Sequence, residues 1–162
     1  MEKKEVADYG LPPRETMILE EYREKHATFE KLLQVVKNIL SESIASNSIY
    51  INALEARIKA EDSLAGKLER KAGKYSSLSD LTDILGVRVI TFYSDEVDKI
   101  AALVGEIFEI DWENSIDKRK MHDIHSFGYS SLHYICRVPR ALFEDSAYPE
   151  LNDIRFEVQM RT

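Results

Sequence analysis

The residues with the most chemical promise fall in two short stretches. In residues 83–92 (Asp-Ile-Leu-Gly-Val-Arg-Val-Ile-Thr-Phe), a carboxylate, Asp83, stands at the mouth of a β-branched, apolar run, and a cation, Arg88, is embedded in it. Val87, Val89, Ile90 and Phe92 give that run the character of a strand. Gly86 suits a tight turn into the strand or a close backbone approach. Charged residues rarely lie in a buried strand without a partner. Asp83 and Arg88 therefore either belong to a site or are a surface acid and an edge-strand base. The second stretch, residues 56–74, carries Arg57, Lys59, Lys67, Arg70, Lys71 and Lys74 against Glu61, Asp62 and Glu69. Ser63 suits a helix N-cap, and from it Ser63, Lys67, Arg70 and Lys71 share one face by three- and four-residue spacing. A helix N-terminus with cations along one side receives phosphates well. The plainer alternative is a solvated basic face.

The positive stretch stands out because the whole chain of 162 residues carries a net charge of −7. That balance argues against a general polyanion-binding surface and makes any phosphate site a local one. The length suits one domain with a real core, and 44% hydrophobic with 31% charged residues is an ordinary globular profile. No apolar run approaches the length of a membrane span, and residues 1–8 lack the pattern of a signal peptide, so no membrane partner is expected. The single cysteine, Cys136, forbids an internal disulfide and fits a reducing, cytoplasmic setting. It lies among strand-like residues and reads as a small core side chain.

The elements that must position these residues follow from periodicity. Residues 1–13 read as an arm ending in Leu-Pro-Pro. One helix is expected over residues 15–40, with Ile18, Tyr22, Phe29, Leu32, Val36 and Ile39 or Leu40 near helical spacing. The Ser-rich residues 41–48 would loosen it, and a helical or mixed piece follows through Leu54. Residues 76–85 read as a short helix leading into the strand at 87–92. A helix capped at residues 94–96 carries Val97, Ile100, Ala101 and Val104, and a strand is expected near residues 108–112. Residues 113–127 are polar, hold His122 and His125, and read as a loop of functional length. A strand at 134–138 ends at Pro139, followed by irregular residues 139–153. The last strand, residues 154–161, alternates strictly: Ile154, Phe156, Val158 and Met160 on one face, Arg155, Glu157, Gln159 and Arg161 on the other.

Four stretches in this order resemble the synthetase domain of the RelA/SpoT family, over residues 50–162. Arg57, Lys59, Ser63, Lys67, Arg70 and Lys71 match its first motif. Asp83, Ile84, Gly86 and Arg88 match the second, and Gly128, Tyr129, Ser131 and His133 the third. Glu157, Gln159, Arg161 and Thr162 match the last. The resemblance implies an α+β, nucleotidyltransferase-like mixed β-sheet flanked by helices. Residues 1–49 would form an N-terminal arm and amphipathic helix. The implied activity is transfer of pyrophosphate from ATP to the 3′-hydroxyl of GDP or GTP, giving the alarmone (p)ppGpp. Asp83 and Glu157 would be the catalytic carboxylates and would hold a Mg²⁺ against the phosphates. Lys59, Ser63, Lys67 and Arg70 would bind the ATP phosphates, while Arg57 and Arg88 would stack on the adenine through planar guanidinium groups. Tyr129 would stack on the acceptor guanine, with His125, His133 and Gln159 on the acceptor side.

The sequence departs from the family pattern at three places. His125 stands where a fixed positive charge is usual, so charge there depends on pH. Ser130 follows Tyr129 in place of Arg or Gln, and Ala56 replaces a glycine. The first two leave the acceptor open among GDP, GTP, GMP, another nucleotide or the 3′ end of a tRNA, as in toxic small members of the family. A non-catalytic nucleotide sensor is the third reading, and a homo-oligomer is compatible with all of them. The chain ends directly after its last strand, so the domain is expected to be shortened at its C-terminus.

Overall fold

The computed structural model describes residues 6–118, 131–143 and 149–162. A mixed five-stranded sheet carries four helices. In chain order these are α1 (Pro13–Glu24), α2 (His26–Ser46), β1 (Ile51–Ile58), α3 (Glu61–Arg70), β2 (Leu85–Thr91), α4 (Ser94–Ile107), β3 (Glu109–Asp117), β4 (Ser131–Arg137) and β5 (Phe156–Arg161). The strand order is β1-β2-β5-β4-β3. Only β2 and β5 run parallel; the other three pairings are antiparallel. The expected α+β class with a mixed sheet and flanking helices is what the chain forms.

Alternation decides which face each strand residue takes. In β2, Leu85, Val87, Val89 and Thr91 are buried while Gly86, Arg88 and Ile90 point to the other side. In β5, Phe156, Val158 and Met160 are buried and Glu157, Gln159 and Arg161 are not. The buried face meets α2, which lies over β1 and β2, and α4, which lies over β2, β5 and β3. Phe29, Leu32, Val36, Leu40 and Ile44 of α2 and Val97, Ile100 and Val104 of α4 form one core with the strand residues. Phe108 meets Phe156 edge-on at 5.1 Å, an arrangement that ring quadrupoles favour. Cys136 is wholly buried, and burial pushes its thiol far up; it is a core residue, as its neighbours suggest.

Several boundaries differ from those expected, each for a physical reason. The helix over residues 15–40 is two helices that bend at Lys25 (φ −93°, ψ 3°). No Gly or Pro marks the bend. It arises because α1 leans on α3 whereas α2 follows the sheet. Helix α2 runs on through the serines to Ser46 because Ile44 continues its buried stripe. The piece through Leu54 is not helical: it opens β1, which pairs with β2 from Ile51 to Ile58. Helix α3 starts at Glu61 with Ala60 as its N-cap, so Ser63 lies inside the first turn instead of capping it. The helix over residues 76–85 shrinks to one 3₁₀ turn, Leu78–Asp80, closed by a capping box between Ser77 and Asp80. The chain then extends so that Leu81 and Ile84 are both buried. Strand β3 continues to Asp117, five residues into the expected loop. It does so through a bulge: Asp111 faces Ile135 and Ile116 faces His133. Ser115 fills the gap, its hydroxyl donating to the Asp111 carbonyl at 2.6 Å and accepting the Ile135 amide at 2.9 Å.

Candidate functional site

The face of the sheet opposite α2 and α4 carries the polar residues, and register sorts them into two rows. In the first, Arg57 faces Gly86, Gly86 faces Glu157, and Glu157 faces Ile135. In the second, Glu55 faces Arg88, Arg88 faces Gln159, and Gln159 faces His133. Residues directly opposite on neighbouring strands share a face. Four strands far apart in sequence thus deliver Arg57, Glu157, Arg88, Gln159 and His133 to one surface. A cleft of about 300 Å³ opens over these rows and over Asp83. Gly86 forms its floor between Arg57 and Glu157, and a Cβ there would meet nothing within 4 Å. Its φ is unexceptional, so the glycine serves space and not backbone freedom.

Asp83 sits two residues ahead of β2. Its Oδ2 accepts the Lys59 ammonium at 2.8 Å and the Lys67 ammonium at 2.9 Å. Lys59 follows the end of β1, and its backbone amide donates to the Ile84 carbonyl at 2.7 Å, which ties the strand ends together. Lys67 comes from the inner side of α3, and its ammonium lies 5.7 Å from the centroid of the buried Tyr75 ring, within cation–π range. Burial alone would raise the Asp83 carboxyl, but the hydrogen bonds and charges of Lys59 and Lys67 outweigh it and hold the group below its ordinary value. Burial likewise works against the Lys67 ammonium, and Asp83 more than restores it.

Glu157 is set differently. Burial raises its carboxyl, His133 and Gln159 lower it more, and the Asp83 charge opposes them; the balance is a lowered pKa. Gln159 Nε2 donates to Glu157 Oε1, and His133 Nδ1 stands 3.7 Å from the same oxygen. His133 Nε2 lies 2.9 Å from the hydroxyl of Ser131, which is fully buried. Arg88 Nε donates to Gln159 Oε1 at 3.4 Å, and its Nη1 is 3.6 Å from Glu55 Oε2. These contacts make a polar chain from Glu55 through Arg88, Gln159, Glu157 and His133 to Ser131, and it crosses between the two rows at Glu157.

Of the residues singled out in the sequence, Asp83, Glu157, Arg57, Lys59, Lys67, Arg88, His133 and Gln159 converge on this cleft or on its carboxylates. Ser63 and Arg70 do not line it; both are exposed on α3. His125 and Tyr129 lie outside the described residues, as do Gly128, Ser130 and His122. Glu55 and Ser131 were not picked out as site residues by sequence reasoning. Glu55 would have followed from reading β1 as a strand, since it alternates with Arg57.

Two carboxylates that both stay ionised beside a cleft offer hard oxygen donors. Asp83 Oδ1 is buried and has no hydrogen-bond partner, an arrangement that ordinarily costs free energy unless a ligand completes it. The pair therefore fits a magnesium ion, which is held by one or two carboxylates together with substrate phosphates. Among the described residues no cluster of three or more His, Cys, Asp or Glu forms a self-sufficient metal cage, and no helix is long and apolar enough to cross a membrane.

A model of the region found in RelA/SpoT proteins matches residues 56–162, which span every residue of the cleft except Glu55. The chain belongs to the RelA/SpoT family. Solved structures agree in fold. The small alarmone synthetase 1 of Bacillus subtilis bound to its product pppGpp is 17% identical, with a TM-score of 0.70 over 88% of this chain and 73% of that one. The same enzyme bound to AMPCPP gives 15% identity and a TM-score of 0.61, over 88% and 70% of the two chains. A GTP pyrophosphokinase family protein from Streptococcus pneumoniae is 21% identical, with a TM-score of 0.66 over 88% and 70%. At these identities the likeness is one of fold. No curated protein matches the chain.

Proposed function

We propose that this RelA/SpoT-family chain transfers the β,γ-pyrophosphate of ATP to the 3′-hydroxyl of GDP or GTP, with Mg²⁺. The observation that carries this reading is the convergence of Asp83, two residues ahead of β2, and Glu157, on the neighbouring parallel strand β5, on one cleft that also holds Arg57 and Arg88. In the reaction the bond from the α-phosphate oxygen to the β-phosphorus breaks, the acceptor oxygen bonds to the β-phosphorus, and AMP leaves. Such chemistry rests on positioning and charge neutralisation more than on covalent catalysis. Lys59 and Lys67 supply positive charge at the mouth of β2 and would meet the ATP phosphates. Arg57 and Arg88 extend across the two register rows as flat guanidinium groups suited to stacking on a purine. Asp83 and Glu157 would hold the Mg²⁺, which neutralises phosphate charge when bound.

Glu157 would also orient the acceptor hydroxyl and take its proton. Its lowered pKa keeps it an anion at neutral pH, ready to accept a hydrogen bond from the 3′-hydroxyl as the bond to phosphorus forms. His133 and Gln159 hold the carboxylate in place. Support for nucleotide substrates comes from the neighbour in the fold that was solved with pppGpp and with AMPCPP.

The deciding experiment follows γ-labelled ATP by thin-layer chromatography with Mg²⁺ and GDP, GTP or deacylated tRNA offered separately. Label passing to a guanine nucleotide, and lost in Glu157→Ala, is the expected result. Label passing to tRNA alone, or to no acceptor, would refute the proposal.

A further inference from the structure

The contacts that fix the backbone of Lys59 come partly from outside the region matched by the family. Tyr22, near the end of α1, is 4% exposed, and its hydroxyl donates to the Lys59 carbonyl at 2.6 Å. That carbonyl needs a partner from elsewhere, because Lys59 lies past the last β1–β2 register pair, Ile58 with Leu85, and the first α3 bond runs from the Leu64 amide to the Ala60 carbonyl. The other side of the same residue is held by the Ile84 carbonyl, and its ammonium by Asp83. Lys59 thus links α1 to the mouth of β2. Two residues on, the Glu61 carboxylate is clamped from α1 and the segment before it, by Arg23 Nε and by the Tyr9 hydroxyl at 3.0 Å. Burial, then the charges of Glu61 and Asp62, push the Tyr22 phenol up, so it remains a donor. The ring is seated independently, edge-on to His26 at 5.6 Å and tilted to Phe29 at 6.3 Å.

A lysine places its charge through a flexible four-carbon stem, so its reach is only as defined as its backbone. We infer that α1 is a positioning element of the site, acting through the Tyr22 hydroxyl on the backbone of Lys59, and that Tyr22 thereby sets the affinity for the donor phosphates. The part concerning phosphates rests on the function proposed above; the part concerning the backbone does not.

Tyr22→Phe removes the hydroxyl and keeps the ring. The control, Thr91→Val, removes another buried hydroxyl at the far end of β2, where it donates to the Tyr93 carbonyl at 3.0 Å. For each variant, amide hydrogen exchange at Lys59, KM for ATP, kcat and melting temperature are measured. In Tyr22→Phe the Lys59 amide keeps its own bond to the Ile84 carbonyl. Exchange there should quicken by about two- to tenfold because the backbone around it loosens by the worth of the lost carbonyl bond, and KM for ATP should rise by a similar factor. The change in kcat should stay within about twofold. Thr91→Val should lose comparable melting temperature and move neither quantity. Lys59 exchange and KM unchanged in Tyr22→Phe, or altered equally by Thr91→Val, would overturn the inference. Should the wild-type chain transfer no pyrophosphate, that failure falls on the proposed function, and Lys59 exchange still decides the role of Tyr22.

Discussion

Asp83→Asn separates charge from shape at the centre of the cleft. The wild-type carboxylate receives two ammonium groups on one oxygen, at 2.8 and 2.9 Å. A carboxamide oxygen still accepts one of them but brings no charge, and the second ammonium is left facing the first. Charge-assisted hydrogen bonds contribute about 1.5–3 kcal/mol each when desolvated. Asp83 keeps 29% of its side-chain exposure, which screens the pair, and the variant no longer buries a carboxylate. The expected loss of stability at neutral pH is therefore about 1–2 kcal/mol.

The sign of its pH dependence is fixed by the same contacts. Burial raises the Asp83 carboxyl, Lys59 and Lys67 lower it more, and the folded-state pKa lies below the unfolded one. The charge then adds stability above the unfolded pKa, and that stability is lost as pH falls through the folded pKa. Urea unfolding of wild type and variant from pH 7 downward should show a difference that narrows once the pH drops below the ordinary aspartate value of 3.8. Pyrophosphate transfer should fall by about 10²–10³-fold, as when a preorganised charge is removed elsewhere. A stability difference that stays constant into acid, or a variant with activity near the wild type, would refute this account of the site.

The same logic gives three further expectations. Glu157→Gln should lower transfer by about 10²-fold or more while ATP still binds; since His133 and Gln159 hold the wild-type carboxyl low against burial, the stability lost with its charge should also vanish in acid. Arg88→Lys keeps the charge and loses the flat guanidinium, so ATP affinity measured by calorimetry should drop by about three- to tenfold with little change in melting temperature. Ser115→Ala leaves the buried Ile135 amide without its acceptor in the β3 bulge, and denaturant unfolding should report a loss of about 1–3 kcal/mol with transfer intact.

How far the sequence discloses this architecture depends on how local each determinant is. In β2 the period-two alternation of residue type holds from Leu85 to Val89, which turns Arg88 outward, and breaks at Ile90 and Thr91. In β5 it is complete within the strand, so the outward aim of Glu157 and Gln159 could be read directly. Strand β1 could not: Asn-Ala-Leu-Glu-Ala is an unremarkable helix-forming string, and only pairing with β2 along its length makes it a strand. The bend at Lys25 has the same origin, because nothing in residues 22–29 breaks a helix and the cause is where α1 and α2 must each pack. The β3 bulge was hidden because a serine in a polar run gives no sign that its hydroxyl will replace a ladder bond.

Register is the least local quantity of all, and it is what makes the residues a site. Arg88 and Gln159 are 71 residues apart in the chain and hydrogen-bonded in the fold; a shift of one residue in the parallel β2–β5 pair would turn Glu157 into the core. The buried rows Val87–Val158 and Val89–Met160 prevent that shift, because each holds an apolar pair under α2 and α4. The core therefore does more than stabilise the sheet. By fixing which residues may not face the open side, it fixes that Gly86 and Glu157, then Arg88 and Gln159, must. Motif residues supply the chemistry, but the valines between them determine that the chemistry meets in one cleft.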